Sequence, residues 1–325
     1  MTGLVVGLGS MGRRRIRLIK QHFSDITLFG VDQNEVRCQA VSGEYEIETY
    51  ASITDALAER IYDYAFICTS PLSHAELISN CLTSNIHVFT ELNLVSEKYS
   101  QNIELAVKNG LVLFLASTFL YRGEIKHIIK RVKESKSRLS YTYHVGQYLP
   151  DWHPWENYTE YFINDKRTNG CREIYAIELP WLVSAFGKIV SFSVQKANIS
   201  GLKLTYPDSY SVIFKHESGH IGQLLVDVVS RIPVRHFEVF GESLQMEWRG
   251  SPEKLWEADE ELNTMQQIIL PDAVNRENGY ADFIVEDAYL EELKTFFSLC
   301  AGNKQEVYGF ENDLYVLDLI NKIEK

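Results

Sequence analysis

Three glycines at the start of the chain are spaced to hold a phosphate. Gly7-Leu8-Gly9-Ser10-Met11-Gly12 follows the apolar run Leu4-Val5-Val6 and leads into Arg13-Arg14-Arg15-Ile16-Arg17, an order that predicts strand, turn and helix. In that setting Gly7 permits a tight turn, Gly9 admits a pyrophosphate close to the backbone, and Gly12 lets the helix lie against the strand. Free N–H groups and the dipole at the helix start then favour a bound anion, with Ser10 and Met11 in the same turn. Twenty residues beyond Gly12, the run Ile26-Thr27-Leu28-Phe29-Gly30-Val31 ends in Asp32. A carboxylate there accepts hydrogen bonds from ribose hydroxyls and repels a 2′-phosphate, so the expected cofactor is NAD(H) and not NADP(H). A glycine turn in some other α/β unit is the alternative reading.

The elements that would position this turn follow in alternation. Helix patterns near Glu35–Ser42 and Ser52–Ala58 precede the apolar strand Tyr64-Ala65-Phe66-Ile67-Cys68, which ends in the turn Thr69-Ser70-Pro71-Leu72-Ser73-His74. A helix Ala75–Leu82, the strand Ile86-His87-Val88-Phe89 ending at Thr90-Glu91-Leu92-Asn93, a helix Tyr99–Asn109 and a strand Leu111–Ala116 complete the series. Repeated βα units of this kind predict a parallel sheet that binds ligands at its strand C-termini. Beyond Tyr121 the pattern changes to a basic helix Glu124–Glu134, an alternating strand Leu139–Val145, an aromatic loop Tyr148–Tyr158, a helix Cys171–Phe186 and several alternating stretches from Ile189 to Trp248. Gly250–Asn278 is less regular, and helical portions Val285–Phe297 and Asp313–Ile323 close the chain. The expected fold is α/β. Residues 1–118 form a doubly wound Rossmann domain, and residues 119–325 form an α+β domain for substrate binding and oligomerisation, with an open, mainly antiparallel sheet.

At 325 residues with 45% hydrophobic and 23% charged side chains the chain reads as a soluble globular protein of two domains. A net charge of −12 argues against nucleic acid or an anionic membrane as partner. Arg13 and Arg14 are expected beside the pyrophosphate, and the remaining basic residues of that helix read as solvated positions. No signal-peptide pattern or membrane-length run is visible, so the cytoplasm is the expected location. Five scattered cysteines without CxxC spacing indicate neither a disulfide framework nor a zinc site, and no metal is expected.

The glycine turn, the Thr69–His74 turn, the Glu91-Leu92-Asn93 strand end, the sheet domain after about residue 120 and the helix Glu286–Leu293 together resemble the Gfo/Idh/MocA family of dinucleotide-dependent sugar oxidoreductases. The Tyr148–Tyr158 loop is similar to one in members from bacterial surface-sugar biosynthesis. The resemblance implies that Thr69, Ser70, Pro71, His74, Glu91 and Asn93 join Gly7, Gly9, Ser10, Met11, Gly12 and Asp32 along the cofactor groove. It also implies a sugar or nucleotide-sugar substrate, reached by Arg122, Tyr148, Asp151, Trp152 and Arg172, and a homodimer or homotetramer built through the C-terminal sheet.

The departures concern chemistry. The family's Glu-Lys-Pro motif places a lysine to assist proton transfer, whereas this chain has Glu91-Leu92-Asn93, and leucine can neither donate nor accept a proton. Ile174 and Ile177 fall at the family's acid and histidine positions; a register shift of one residue would put Glu173 at the acid position. Two readings follow. In the first the protein is an NAD-dependent oxidoreductase acting on a sugar hydroxyl or carbonyl, with its proton acceptor among His153, Glu173 and Glu178. His153 has the advantage of a pKa near neutrality, although a structured loop can hold a histidine merely by packing. Arg172 and Glu173 read equally as an exposed pair at a helix start, and Glu178 as a repair of the kink that Pro180 would introduce. In the second reading the chain is a catalytically inactive or regulatory NAD-binding homologue.

Overall fold

A computed structural model describes residues 1–152, 157–259, 261–270 and 285–325. The chain divides into two compact units: Met1–Ser117 with Leu290–Leu317, and Thr118–Tyr289 with Asp318–Lys325.

The first unit contains β1 (Thr2–Val6), α1 (Ser10–His22), β2 (Thr27–Val31), α2 (Glu35–Tyr45), β3 (Glu48–Tyr50), α3 (Ile53–Glu59), β4 (Tyr64–Ile67), α4 (His74–Thr83), β5 (His87–Thr90), α5 (Tyr99–Asn109) and β6 (Leu113–Leu115). Its sheet runs β3-β2-β1-β4-β5-β6 with every pair parallel. The order reverses beside β1, and that switch point is where doubly wound sheets open a ligand crevice. Parallel strands covered on both faces need continuous apolar runs, and β1 and β4 supply them: Leu4, Val5, Phe66 and Ile67 have no exposed surface. The short β3 had no counterpart in the sequence reading.

The end of the chain belongs partly to this unit. In α8 (Glu286–Cys300), Phe296 makes edge contacts with Phe66, Phe89 and Phe114, and Phe297 packs on Phe23 and Tyr64. Leu290–Leu317 therefore leaves the second domain drawn from the sequence as 119–325 and clusters with the first unit. Aromatic burial under the parallel sheet is the physical reason.

The second unit is built on α6 (Gly123–Glu134), β7 (Leu139–Gly146), α7 (Gly170–Phe186), β8 (Ile189–Ala197), β9 (Ser209–His216), β10 (Ile221–Asp227), β11 (Val234–Gly241), β12 (Leu244–Trp248), β13 (Leu255–Asp259) and β14 (Thr264–Gln267), joined by the end of α9 (Phe310–Glu324). The sheet order is β14-β13-β12-β11-β7-β10-β9-β8, antiparallel except where β7 and β10 run parallel. Strands β13 and β14 give regular structure to the stretch after Gly250 that the sequence pattern left irregular. Alternation sorts the two faces. Tyr141, Tyr143, Phe237, Val239 and Trp248 are buried, with Trp181 and Phe186 of α7 packed on them. Thr142, Ile213, Gln223, Glu238 and Phe240 are exposed on the other face.

Candidate functional site

Within the first unit, the glycine turn has the form its spacing predicts. Gly7 has φ of 93°, a region L-residues rarely enter, and a Cβ on it would lie 2.7 Å from the Cys68 carbonyl oxygen. A Cβ on Gly12 would lie 1.9 Å from the Gly7 carbonyl oxygen, so α1 reaches β1 only because this residue is glycine. Gly9, which caps α1, is different: the nearest atom to an added Cβ is Arg37 Nη1 at 4.0 Å. The protein leaves open space over Gly9, as close approach of a pyrophosphate requires.

Asp32 follows the end of β2, and both its oxygens brace the crevice. Oδ2 accepts from Leu8 N at 2.8 Å and Oδ1 from Asn34 N at 2.8 Å. The carboxylate thereby ties the glycine turn to the β2–α2 turn. Ser10 is exposed and Met11 half-buried at the start of α1. Thr69, Ser70 and Pro71 form a compact turn after β4, held by Ser73 Oγ, which donates to Ser70 O at 2.8 Å and lies 2.7 Å from Thr69 Oγ1. These residues fit a dinucleotide: a glycine turn with open backbone, a helix N-terminus and an acid at the end of β2.

Three groups expected along the groove support it from below. His74 and Asn93 are 2% and 1% exposed. His74 Nε2 lies 2.9 Å from Thr69 O and Nδ1 lies 2.6 Å from Asn93 Oδ1. Burial lowers the His74 pKa. Asparagine at the position of the family's proline thus locks the β5 end to the β4 turn. Glu91 turns its carboxylate inward onto Arg15, with Nε at 2.6 Å and Nη2 at 3.2 Å. Arg15 itself corrects an expectation: it has no exposed surface, so it is not a solvated helix position. The signal was present, because Gly12, Arg15, Ile16 and Ile19 recur at helical spacing on the buried face of α1.

In the second unit, α7 carries two buried carboxyls five residues apart. Glu178 has no exposed surface, and its partners surround it: Tyr143 Oη donates at 2.7 Å, Trp181 Nε1 at 2.8 Å and Arg235 Nε at 2.9 Å. A carboxylate so enclosed and paired is a core ion pair, which corrects its place among the catalytic candidates. It also repairs no kink, since its bonds come from side chains of β7, β11 and Trp181 of α7 itself, and α7 continues through Pro180.

Glu173 is the opposite case. It sits in the first turn of α7, half-buried, while its Oε2 is sealed from solvent with no hydrogen-bond partner. It makes no ion pair among the described residues. Burial alone raises its pKa from 4.5 to about 7. The helix dipole favours the ionised form at this position, so the desolvation cost outweighs it. Such a carboxyl exchanges its proton near neutral pH, as a general acid or base must.

The adjacent Arg172 does not neutralise Glu173. Its guanidinium pairs with Glu324 and donates to Asn321 Oδ1 at 2.8 Å, and it is 4% exposed. Arg122 is likewise 3% exposed, its Nε on Glu124 Oε1 at 2.8 Å and its face over Phe119 and Trp248. Both were expected to meet substrate; as buried, paired cations they hold helix ends instead. In the aromatic loop Tyr148 lies under Arg231, 3.7 Å from guanidinium carbon to ring centre, Asp151 is exposed, and Trp152 Nε1 donates to Gln147 O at 3.2 Å. His153 lies outside the described residues. Asp227 was missed by sequence reading: it accepts from Val229 N at 2.9 Å and Ser230 N at 2.7 Å, and lies 2.7 Å from His144 Nε2 at the base of this loop.

A parallel sheet with a glycine-turn cradle defines the first unit as a dinucleotide-binding Rossmann fold, and the second unit is a mainly antiparallel sheet. Residues 1–117 match the model of the GFO_IDH_MocA oxidoreductase family, described as an NAD-binding Rossmann fold. The match covers the first unit, whose cofactor is NAD(H). Among curated relatives, myo-inositol 2-dehydrogenase of Thermotoga maritima is 22% identical over 96% of this chain and 92% of its own. Two solved structures share the fold over 99% of this chain. GenD2 from gentamicin A biosynthesis, in complex with NAD, has a TM-score of 0.79 and 15% identity over 92% of its length. The WlbA dehydrogenase of Bordetella pertussis, in complex with NADH and UDP-GlcNAcA, has a TM-score of 0.80 and 15% identity over 94% of its length. Among the described residues no helix is long and apolar enough to cross a membrane.

Proposed function

We propose that the protein oxidises, reversibly, a hydroxyl on a sugar or sugar derivative, and that Glu173 takes the hydroxyl proton. The single observation that carries this is a carboxyl in the second unit, titrating near 7, that no cation or donor of the described chain compensates. Bound NAD supplies the hydride acceptor. What the chain adds is a held substrate and a proton acceptor: as the C–H hydride leaves, the O–H proton passes to the Glu173 carboxylate, a carbonyl remains, and the reverse reaction returns both. Leu92, at the position of the family's lysine, takes no part in proton transfer, so the task falls to another side chain.

Two relatives support the substrate class. One is named for a polyol, and the other was crystallised with a nucleotide sugar. The aromatic loop residues Tyr148, Asp151 and Trp152 suit a sugar, with its apolar faces and polar edges. Likeness of that loop to surface-sugar enzymes supports a reaction in bacterial surface-polysaccharide biosynthesis. Asp32 favours NAD(H) over NADP(H), and the ratio of NADH to NADPH affinity is the direct check. The exposed sheet face bearing Ile213, Ile221 and Phe240 is the surface we assign to a second copy of the chain.

The test is Glu173→Gln. We expect kcat on an accepted polyol or nucleotide sugar to fall by about 10²- to 10⁴-fold with NADH affinity unchanged. Undiminished kcat would remove Glu173 from the mechanism. A wild-type protein that binds NADH yet turns over no sugar would move the chain to the reading of a non-catalytic NAD-binding homologue.

A further inference from the structure

We propose that the buried cluster of Arg15, Glu91 and Glu292 sets which redox state of the dinucleotide this protein prefers, favouring the oxidised form. All three residues belong to the first unit, and none is part of the proton-transfer machinery. Arg15 projects from α1, the helix that starts at the phosphate turn, and its guanidinium carbon lies 4.4 Å from the centre of the Phe89 ring in β5. Its Nε and Nη2 take both oxygens of Glu91, and Nη2 also donates to Glu292 Oε2 of α8 at 2.7 Å. The side chains of Arg15 and Glu292 have no exposed surface, and that of Glu91 is 12% exposed.

Burial opposes the charge on Arg15, but attraction to the two carboxylates outweighs it and raises its pKa, so the guanidinium is a fixed cation. Its bonds to Glu91 are direct and charge-assisted.

The cluster's place in the fold gives its field a target. Asp32, after β2, marks the adenosine side of the switch point, and Glu91, after β5, lies on the other side, the half that a dinucleotide leaves to its nicotinamide. The oxidised ring carries a positive charge, and the reduced ring carries none. Each carboxylate on this side stabilises the oxidised form relative to the reduced one, whatever other charges surround the cluster. In an interior of effective dielectric near 20, one such charge is worth roughly a tenfold shift in an equilibrium. Glu292 is the informative member because it is sealed away from the crevice and can act on the cofactor only through its field and through Arg15.

This inference rests on the NAD(H) assignment. The experiment titrates the purified full-length protein and Glu292→Gln with NADH by fluorescence, and with NAD+ by competition against NADH. We expect the variant to bind NAD+ about tenfold more weakly and NADH less than threefold more weakly. The bound couple would then move by about 15–30 mV towards reduction, tenfold in the ratio being about 30 mV for two electrons. Equal weakening of both forms, or an unchanged ratio, overturns the proposal and leaves Glu292 a structural support. If Glu292→Gln does not fold, Glu91→Gln, at the solvent-touching end of β5, must move the ratio in the same direction or the proposal fails. A wild-type protein that binds neither form overturns the proposal together with the cofactor assignment, whereas tight NADH with an unmoved ratio overturns the proposal alone.

Discussion

Glu173 and Glu178 lie on one helix, five residues apart, and each buries carboxyl oxygen, yet they do opposite things. Around Glu178 the fold supplies a phenol, an indole and a guanidinium, each within 2.9 Å. Around Glu173 it supplies no ion pair among the described residues, and Oε2 stays unpartnered. A buried charge with its full complement of partners is part of the core; one without them stores an unfavourable ionisation that a reaction can use. The difference teaches that burial alone identifies neither role. The partner set does.

The strongest way to break the comparison is Glu178→Ala. It would remove the carboxylate partner of Arg235 and leave Tyr143 and Trp181 without this acceptor, so unfolding free energy should drop by about 3–5 kcal/mol, read from urea denaturation. A loss below about 1 kcal/mol would mean that the pair is not desolvated and that the contrast with Glu173 is false.

Next in size is the opposite response at Glu173. Its folded pKa of about 7 lies above the ordinary 4.5, so the folded state binds its proton more tightly than the unfolded chain does. The stability this group contributes is present below pH 4.5 and is lost as pH rises through 7, for a total of about 3 kcal/mol. Glu173→Gln has no such loss: it should exceed the wild type by about 3 kcal/mol at pH 8 and by under about 1 kcal/mol at pH 5. A variant less stable than the wild type at pH 8 would place Glu173 with Glu178 as a structural group.

The smallest effect sharpens the comparison within the Glu178 cluster. Tyr143→Phe removes one donor to the carboxylate and keeps the ring's packing, so thermal unfolding should report a loss of about 1–2 kcal/mol. A loss as large as that of Glu178→Ala would show that the phenol, and not the guanidinium, is the essential partner.

The two ends of the molecule differ in how much of them could be read in advance. Gly7, Gly9, Gly12 and Asp32 act through backbone geometry and lie within a single βαβ unit, so their spacing carried the turn, the helix start and the expected acid after β2. The alternation of Tyr141, Tyr143 and their neighbours likewise marked the buried face of the second sheet. The parallel pairing of β7 with β10 was not legible, because alternation sets which face a side chain occupies and says nothing of which strand lies alongside. Nor could the sequence rank Glu173 above Glu178, since their difference lies in Arg235, a residue 57 positions beyond Glu178.

The sequence by itself determined the cofactor cradle, the alternation of strand and helix that makes a parallel sheet and the absence of a lysine at Leu92, because each depends on residue types that are near neighbours in the chain. Tertiary structure alone decided where the charges find their counterions. Arg15 reads as one of a row of helix cations, and it becomes the centre of a buried cluster only when folding brings Glu91, 76 positions away, and Glu292, 277 positions away, onto its guanidinium. Electrostatic roles depend on distance in space and on exclusion of water, and neither quantity exists until the chain has closed on itself.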